Sequence, residues 1–323
     1  MTDTDAVDST EVDVLIIGGG PAGLSAALNL ARARASVVVV DAGRPRNAAT
    51  LRSHGFLTRD GIPPIELRKL AKAELADYPT VRVFDRTVVT ALVETPSDAS
   101  GSGLRFIGAL QGRGAGIPPA IAARSVLVAT GLRETLPAIP SLCAFYGMSV
   151  FSCAACDAWE LQDKPLALIG ETPDLAARAR LIASWTDRLT VLTNGVDVVD
   201  TVEEAELAAS GIIVERRRID DLEGERGQVA AVRLVDGTRV PVEGGFVRPE
   251  WHATLDFLRG LDAERDAHGN LVTDRSGRTS VAGLYAAGDA ASPGPQQLIV
   301  AAGQGARAAA VMVHDRIGVR TAH

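Results

Sequence analysis

Cys153-Ala154-Ala155-Cys156 sets two thiols three residues apart. Within one turn of chain such a pair closes a disulfide at low strain. Exchange also requires a thiolate, and so a local feature that lowers a thiol pKa. The competing use of the pair is a structural zinc site, which takes about four ligands. No second Cys-x-x-Cys and no nearby His pair supplies the other two. Three cysteines are also too few for a disulfide framework. Cys143 stands alone and reads as a small buried hydrophobe.

The next group able to do chemistry is Gly18-Gly19-Gly20-Pro21-Ala22-Gly23. It follows the apolar run Val12–Ile17 and opens the Ala/Leu-rich stretch Leu24–Ala35. Val37–Val40 then ends in Asp41. Strand, glycine turn, helix, strand and acid make one βαβ unit with a dinucleotide-binding turn. Gly18 allows the tight turn, Gly20 lets the backbone approach a pyrophosphate, and Gly23 permits close helix–strand packing. The helix start offers N–H donors to phosphate, and Asp41 would accept hydrogen bonds from a ribose. A dithiol beside one intact nucleotide turn points to flavin-linked thiol–disulfide exchange.

A second turn, Gly170-Glu171-Thr172-Pro173-Asp174-Leu175, is damaged. Thr172 stands where a bare backbone is needed, and Pro173 removes an N–H donor. Glu171 puts a carboxylate where phosphate would sit; like charges about 4 Å apart repel by roughly 1–4 kcal/mol. After the next strand comes Thr193-Asn194-Gly195, with no arginine pair to select NADPH. Arg216-Arg217-Arg218 lies later and reads as a solvated face. Thr172 remains a good N-cap, with Pro173 at the first helical position. The fold is expected to survive here and the ligand to be lost.

Other elements must position these groups. Ser97–Gly103 and Gln111–Pro119 read as loops. Val126–Ala129 reads as a strand ending in Thr130-Gly131. Lys164–Ile169 and Leu189–Leu192 flank Gly170 and a helix over Leu175–Trp185, a second βαβ unit. Leu284–Ala287 is a late strand followed by Gly288-Asp289, and Gln297–Val313 an Ala-rich helix. The 323 residues suffice for two domains. With 46% hydrophobic but only 4% aromatic residues, the core must be Ala, Val, Leu and Ile. A net charge of -7 argues against a general nucleic-acid or anionic-membrane binder. No apolar run nears the roughly 20 residues of a membrane span, and Met1–Val12 carries no signal pattern. A soluble, cytoplasmic protein is expected.

In order and spacing, GGGPAG at 18–23, ATG at 129–131, CAACD at 153–157, GLYAAGD at 283–289 and QQLIVAAGQG at 296–305 resemble the low-molecular-weight thioredoxin reductase family. The resemblance covers nearly the whole chain. It implies an α/β protein of two Rossmann-like, three-layer nucleotide-binding domains. An FAD domain, 1–132 plus 248–323, would be interrupted by a smaller NAD(P)-type domain, 133–247, carrying the dithiol. It implies FAD as cofactor, held at Gly18, Gly20, Pro21, Ala22, Gly23, Asp41, Ala129, Thr130, Gly131, Gly288 and Asp289. Asp289 would hold the ribityl or pyrophosphate region, and the backbone at Gln297-Leu298 would approach the isoalloxazine. Cys156 would face the flavin, Cys153 would face substrate, and Asp157 would be the acid/base. Asp157 could also, or instead, cap a helix beginning at Ala158. A homodimer is implied.

Arg46-Asn47-Ala48, the run His54–Gly61, and Cys156-Asp157-Ala158-Trp159-Glu160 depart from the usual reductase pattern. They resemble the dithiol oxidase branch, which closes disulfides in gliotoxin- and holomycin-type natural products. His54 is then a base for a substrate thiol, or a residue hydrogen-bonded within its loop. Trp159 and Phe151 either line a substrate pocket or pack in the core. The leading expectation is an FAD-dependent oxidase for a small-molecule dithiol, passing electrons to O2. The alternative is a thioredoxin reductase reducing a thioredoxin-like protein, with NADPH, ferredoxin or reduced flavin as donor. A redox-sensing flavoprotein ranks last.

Overall fold

The computed structural model describes residues 11–95, 103–114, 116–291 and 295–319. The loop expected at Ser97–Gly103 lies outside these residues except for Gly103, as does Met1–Val12 up to residue 10.

In chain order the first elements are β1 (Glu11–Ile17), α1 (Pro21–Arg32), β2 (Val37–Asp41), α2 (Pro64–Leu75), β3 (Val81–Asp85), β4 (Thr87–Glu94), β5 (Phe106–Gly112) and β6 (Ala120–Val128). Then come β7 (Leu132–Thr135), α3 (Leu142–Phe145), β8 (Val150–Phe151), α4 (Ala154–Asp157), β9 (Leu166–Ile169), α5 (Leu175–Ile182), β10 (Leu189–Leu192), α6 (Thr201–Ala209) and β11 (Ile213–Glu215). They are followed by β12 (Ile219–Glu225), β13 (Gln228–Leu234), β14 (Arg239–Pro241), β15 (Gly244–Val247) and β16 (Glu250–Ala253). The chain returns through β17 (Leu284–Ala286) to α7 (Leu298–Arg316).

These form two units. One comprises 1–46, 65–133 and 252–323; the other comprises 47–64 and 134–251. The crossings lie within a few residues of the expected borders, but 47–64 joins the second unit. Gly147, at φ 80°, explains part of that: a Cβ there would lie 2.3 Å from the Ala49 carbonyl oxygen. Only glycine permits such an approach.

In the first unit the sheet runs β3-β2-β1-β6-β5-β4, with β17 also on β6. β3, β2, β1, β6 and β17 are parallel, and β4–β5 is an antiparallel hairpin. Val37–Asp41 is buried throughout, as expected of a strand covered on both faces. One face packs Leu15, Val38, Phe106 and Leu258; the other packs Ile16, Leu30, Leu127 and Met312. The second unit has a five-stranded parallel sheet, β11-β10-β9-β15-β8, and an antiparallel sheet, β12-β13-β14. Leu168, Leu175 and Phe246 lie in one of its cores; Ile169, Leu192 and Val247 lie in the other. The α/β class with two Rossmann-like sheets is as expected.

Candidate active site

The first unit builds a nucleotide cradle. Gly18 has φ 117°, and a Cβ there would lie 2.2 Å from the Ala129 oxygen. The first turn is thereby pressed onto the Ala129-Thr130-Gly131 segment after β6. At Gly23 an added Cβ would lie 1.9 Å from the Gly18 oxygen, so only glycine lets α1 start this close to the strand. Above Gly20, by contrast, there is open space. Pro21 is the first residue of α1, and no side chain caps the helix start. A bare backbone, uncapped N–H groups and a favourable dipole suit a pyrophosphate. Thr130 Oγ1 is buried without a partner. These residues fit FAD.

Asp41, at the end of β2, is more occupied than expected. Its Oδ2 accepts from Arg68 at 2.5 Å and Lys72 at 3.0 Å, and its Oδ1 from the Gly43 N–H at 2.9 Å. Burial raises its pKa, but these donors and cations outweigh that and hold it below the usual carboxylate range. Asp289 meets Arg46 at 2.7 Å, and the same guanidinium donates to Gln296 at 3.1 Å. Gly288 donates its N–H to Gln304. Gly288, Asp289, Gln296 and Gln304 help line a small cavity of about 40 Å³. Gln297 is the N-cap of α7 and Leu298 its first residue.

The second unit builds the thiol site. Cys153 and Cys156 are joined as a disulfide with Cα atoms 5.3 Å apart. Cys153 caps α4, a single turn ending at Asp157. Asp157 is therefore the last residue of that turn and not a cap, since Ala158 separates it from the next turn. Its carboxyl is pushed up to about 7, first by burial and then by the Glu160 charge, with His54 opposing. His54 lies on a loop closed by Ser53 and Ile62. Its Nδ1 is 3.6 Å from Asp60, and its Nε2 is 3.6 Å from Glu160. The structure thus brings His54, Asp157 and the dithiol into one unit.

One sequence expectation fails here, and one pair of alternatives is narrowed. Cys143 is exposed, because it sits on the outer side of α3 between the buried Leu142 and Phe145. Trp159 is 69% exposed and belongs to no core, whereas Phe151 packs against one.

The damaged second turn is filled by its own side chains. α5 begins at Leu175, the first residue of the expected helix, with Asp174 rather than Thr172 at the N-cap position. Thr172 instead donates to Asp174 at 2.7 Å. Arg178 and Arg248 each reach Asp174 Oδ2 at 2.9 Å. The Arg248 guanidinium lies over the Trp251 ring at 3.9 Å. Asn194 donates to Glu171 at 2.6 Å. Arg216 and Arg217 are paired with Glu204, Asp197, Glu215 and Asp236, as a solvated face should be. Burial raises the Asp174 pKa, but hydrogen bonds from Thr172, Arg248 and Arg178 outweigh it and hold it at about 2. Its folded pKa lies below the unfolded 3.8, so it stabilises the fold above pH 3.8, and that is lost as pH falls towards 2. Asp174→Asn should lower the melting temperature at pH 7, by the modest amount expected of a half-exposed group. The deficit should shrink between pH 4 and pH 2; thermal scans across that range check it.

The profile for pyridine nucleotide-disulphide oxidoreductases matches residues 12–305. The chain belongs to that family. This oxidoreductase is 36% identical to the solved TrxB of Bacillus anthracis, with a TM-score of 0.85 over 95% of this chain and 99% of that one. It is 33% identical to the solved HlmI, with a TM-score of 0.87 over 95% and 93% of the two chains. The thioredoxin reductase tcpT of Claviceps purpurea is 29% identical over 87% of each chain. This pyridine nucleotide-disulphide oxidoreductase is thus a thioredoxin-reductase-like FAD flavoenzyme. Among the described residues, no helix is long and apolar enough to cross a membrane.

Sequence reasoning passes over several residues that the oxidoreductase places around its thiol site. Glu160 reads only as part of a run. Glu134, Tyr146, Ser152, Arg248 and Trp251 carry no local signal, because their partners lie up to 117 residues away.

Proposed function

We propose that the protein is an FAD-dependent dithiol oxidase acting on a small organic dithiol, with dioxygen as the final acceptor. The observation that carries this reading is the second nucleotide turn. A working reductase of this family would receive a pyridine nucleotide there. Here Asp174, clamped by Arg178 and Arg248, sets a carboxylate at the helix start where a pyrophosphate would bind. Glu171 adds a second carboxylate, fixed by Asn194. Likeness to HlmI, and the exposed Trp159 beside the dithiol, add support.

In the proposed reaction a substrate thiolate attacks Cys153 Sγ, the Cys153–Cys156 bond breaks, and Cys156 leaves as thiolate. The second substrate thiol loses its proton and attacks the first substrate sulfur. Cys153 then leaves as thiolate, and the product carries the new disulfide. His54 takes a substrate thiol proton. Asp157 gives a proton to, or takes one from, the Cys156 sulfur. Gly18, Gly20, Pro21, Ala22, Gly23, Thr130 and Asp289 would hold FAD, which would supply a two-electron acceptor between the dithiol and dioxygen, with hydrogen peroxide as the reduced product. A cytoplasmic homodimer completes the proposal.

A second reading, reduction of a thioredoxin-like protein, is favoured by the names of relatives such as tcpT. Anaerobic flavin bleaching separates the two. Rapid bleaching by a small dithiol but not by NADPH, then peroxide release in air, is expected. Rapid bleaching by NADPH would overturn the oxidase reading.

A further inference from the structure

Side chains that the proposed reaction does not use converge on the residue ahead of Cys153. Tyr146 Oη donates to Glu134 Oε2 at 2.6 Å. Ser152 Oγ lies 3.1 Å from Tyr146 Oη and 3.5 Å from Glu134 Oε1. Trp251 Nε1 donates to Glu134 Oε1 at 3.1 Å. A tyrosine hydroxyl has one proton, and the short contact gives it to the carboxylate. The Ser152 hydroxyl is then left to donate to the Tyr146 oxygen. The order Ser152 to Tyr146 to Glu134 is a chain of hydrogen bonds ending on a charge, stronger than neutral ones.

The other side of this chain is anchored as well. Trp251 lies under Arg248, whose Nε is held by Asp174. Contacts therefore run without a break from the start of α5 to Ser152, all within residues 134–251. Side chains at the second nucleotide turn thus form the far support of the thiol site.

We infer that Glu134 is a positioning residue for Cys153: through Tyr146 and Ser152 it holds the backbone that presents the sulfur, and it keeps a fixed negative charge at that end of the pair. A nearby negative charge favours the neutral thiol over the thiolate. Donation from Tyr146 spreads part of that charge. Removing the charge and removing its donor must therefore act with opposite signs.

The inference rests on the thiol-exchange reading only for the use to which Cys153 is put. The test reads the sulfur alone, without turnover or dioxygen, so it and the oxidase reading can fail separately. In FAD-loaded protein carrying Cys143→Ser and Cys156→Ser, which leaves Cys153 as the one thiol of the chain, the rate of alkylation by iodoacetamide is followed from pH 6 to pH 10. The other ionisable groups near the α4 turn, Asp157, Glu160 and His54, stay in place. Adding Glu134→Gln should lower the pH midpoint by half a unit or more, about threefold in thiolate fraction at a given pH. Adding Tyr146→Phe instead should raise it. A Glu134→Gln midpoint at or above the parent's overturns the inference. If Glu134→Gln does not fold, Tyr146→Phe decides, and a midpoint at or below the parent's overturns it.

Discussion

Cys156→Ser should cut turnover of a small dithiol by at least about 10³-fold. A serine hydroxyl cannot form the Cys153–Cys156 disulfide that accepts the substrate's electrons. Cys153 keeps its thiol in this variant and can still take up a monothiol, offered as its symmetrical disulfide, in a mixed disulfide. That adduct has no partner thiol to release it and should accumulate. With Cys143 also replaced by serine, intact-mass measurement should show one monothiol added, absent when Cys153 is serine as well. Turnover surviving in either variant would mean that the dithiol is not on the reaction path.

The second large effect concerns Asp157. Its carboxyl, pushed up to about 7 by burial and by Glu160, is part protonated at neutral pH, which suits a group that must both give and take a proton. Asp157→Asn should lower kcat by about 10²–10⁴ and remove a break near pH 7 from the parent's pH–rate profile. A retained break would assign it to another group. The same substitution should have the opposite effect on stability. The native carboxyl binds its proton more tightly than the unfolded one, whose pKa is 3.8. Parent stability is therefore undiminished below pH 3.8, falls as pH rises towards 7, and is level beyond. The Asp157→Asn variant, with no proton to lose at this position, escapes that fall. It should be more stable than the parent above pH 7, by a few kcal/mol at most, and the advantage should vanish near pH 4. Denaturant unfolding at the two pH values measures both arms.

The parts of the fold legible in the sequence are those with a local physical signature. Val12–Ile17, the glycine turn and Val37–Asp41 are adjacent and mutually consistent, and β1, α1 and β2 form where expected. The antiparallel sheet of the second unit has no such signature. β12 reads Ile-Asp-Asp-Leu-Glu-Gly-Glu, a poor strand by composition. It holds because Ile219 and Leu222 are buried in the unit's core, while Arg233 from β13 bridges Asp220 and Glu223 and Arg239 from β14 reaches Glu223 on the outer side. Those pairings exist only once the strands are side by side. The thiol site divides in the same way. Cys153, Cys156 and Asp157 are contiguous and readable. That His54 shares a unit with them depends on the backbone approach of Gly147 to Ala49, across about 100 residues of chain. α5 begins at Leu175 as the sequence pattern indicates, but Thr172 does not cap it: its hydroxyl donates to the Asp174 side chain instead.

The packing of α7 on α1 has a consequence for the order in which the protein matures. Gly305 lies so close to Ala22 that an added Cβ would be 2.0 Å from its carbonyl oxygen. The helix that opens the nucleotide cradle is thus braced by a residue made nearly 300 positions later. At about 5–20 residues per second of synthesis, Ala22 leaves the ribosome roughly 15–60 s before Gly305 exists. Late in that interval, once residue 251 is made, the 47–64 and 134–251 stretches are complete while the cradle still lacks β17 and α7. The thiol unit can therefore reach its fold on a nascent chain that has no finished place for a flavin. Cofactor loading becomes a late event, timed by the ribosome.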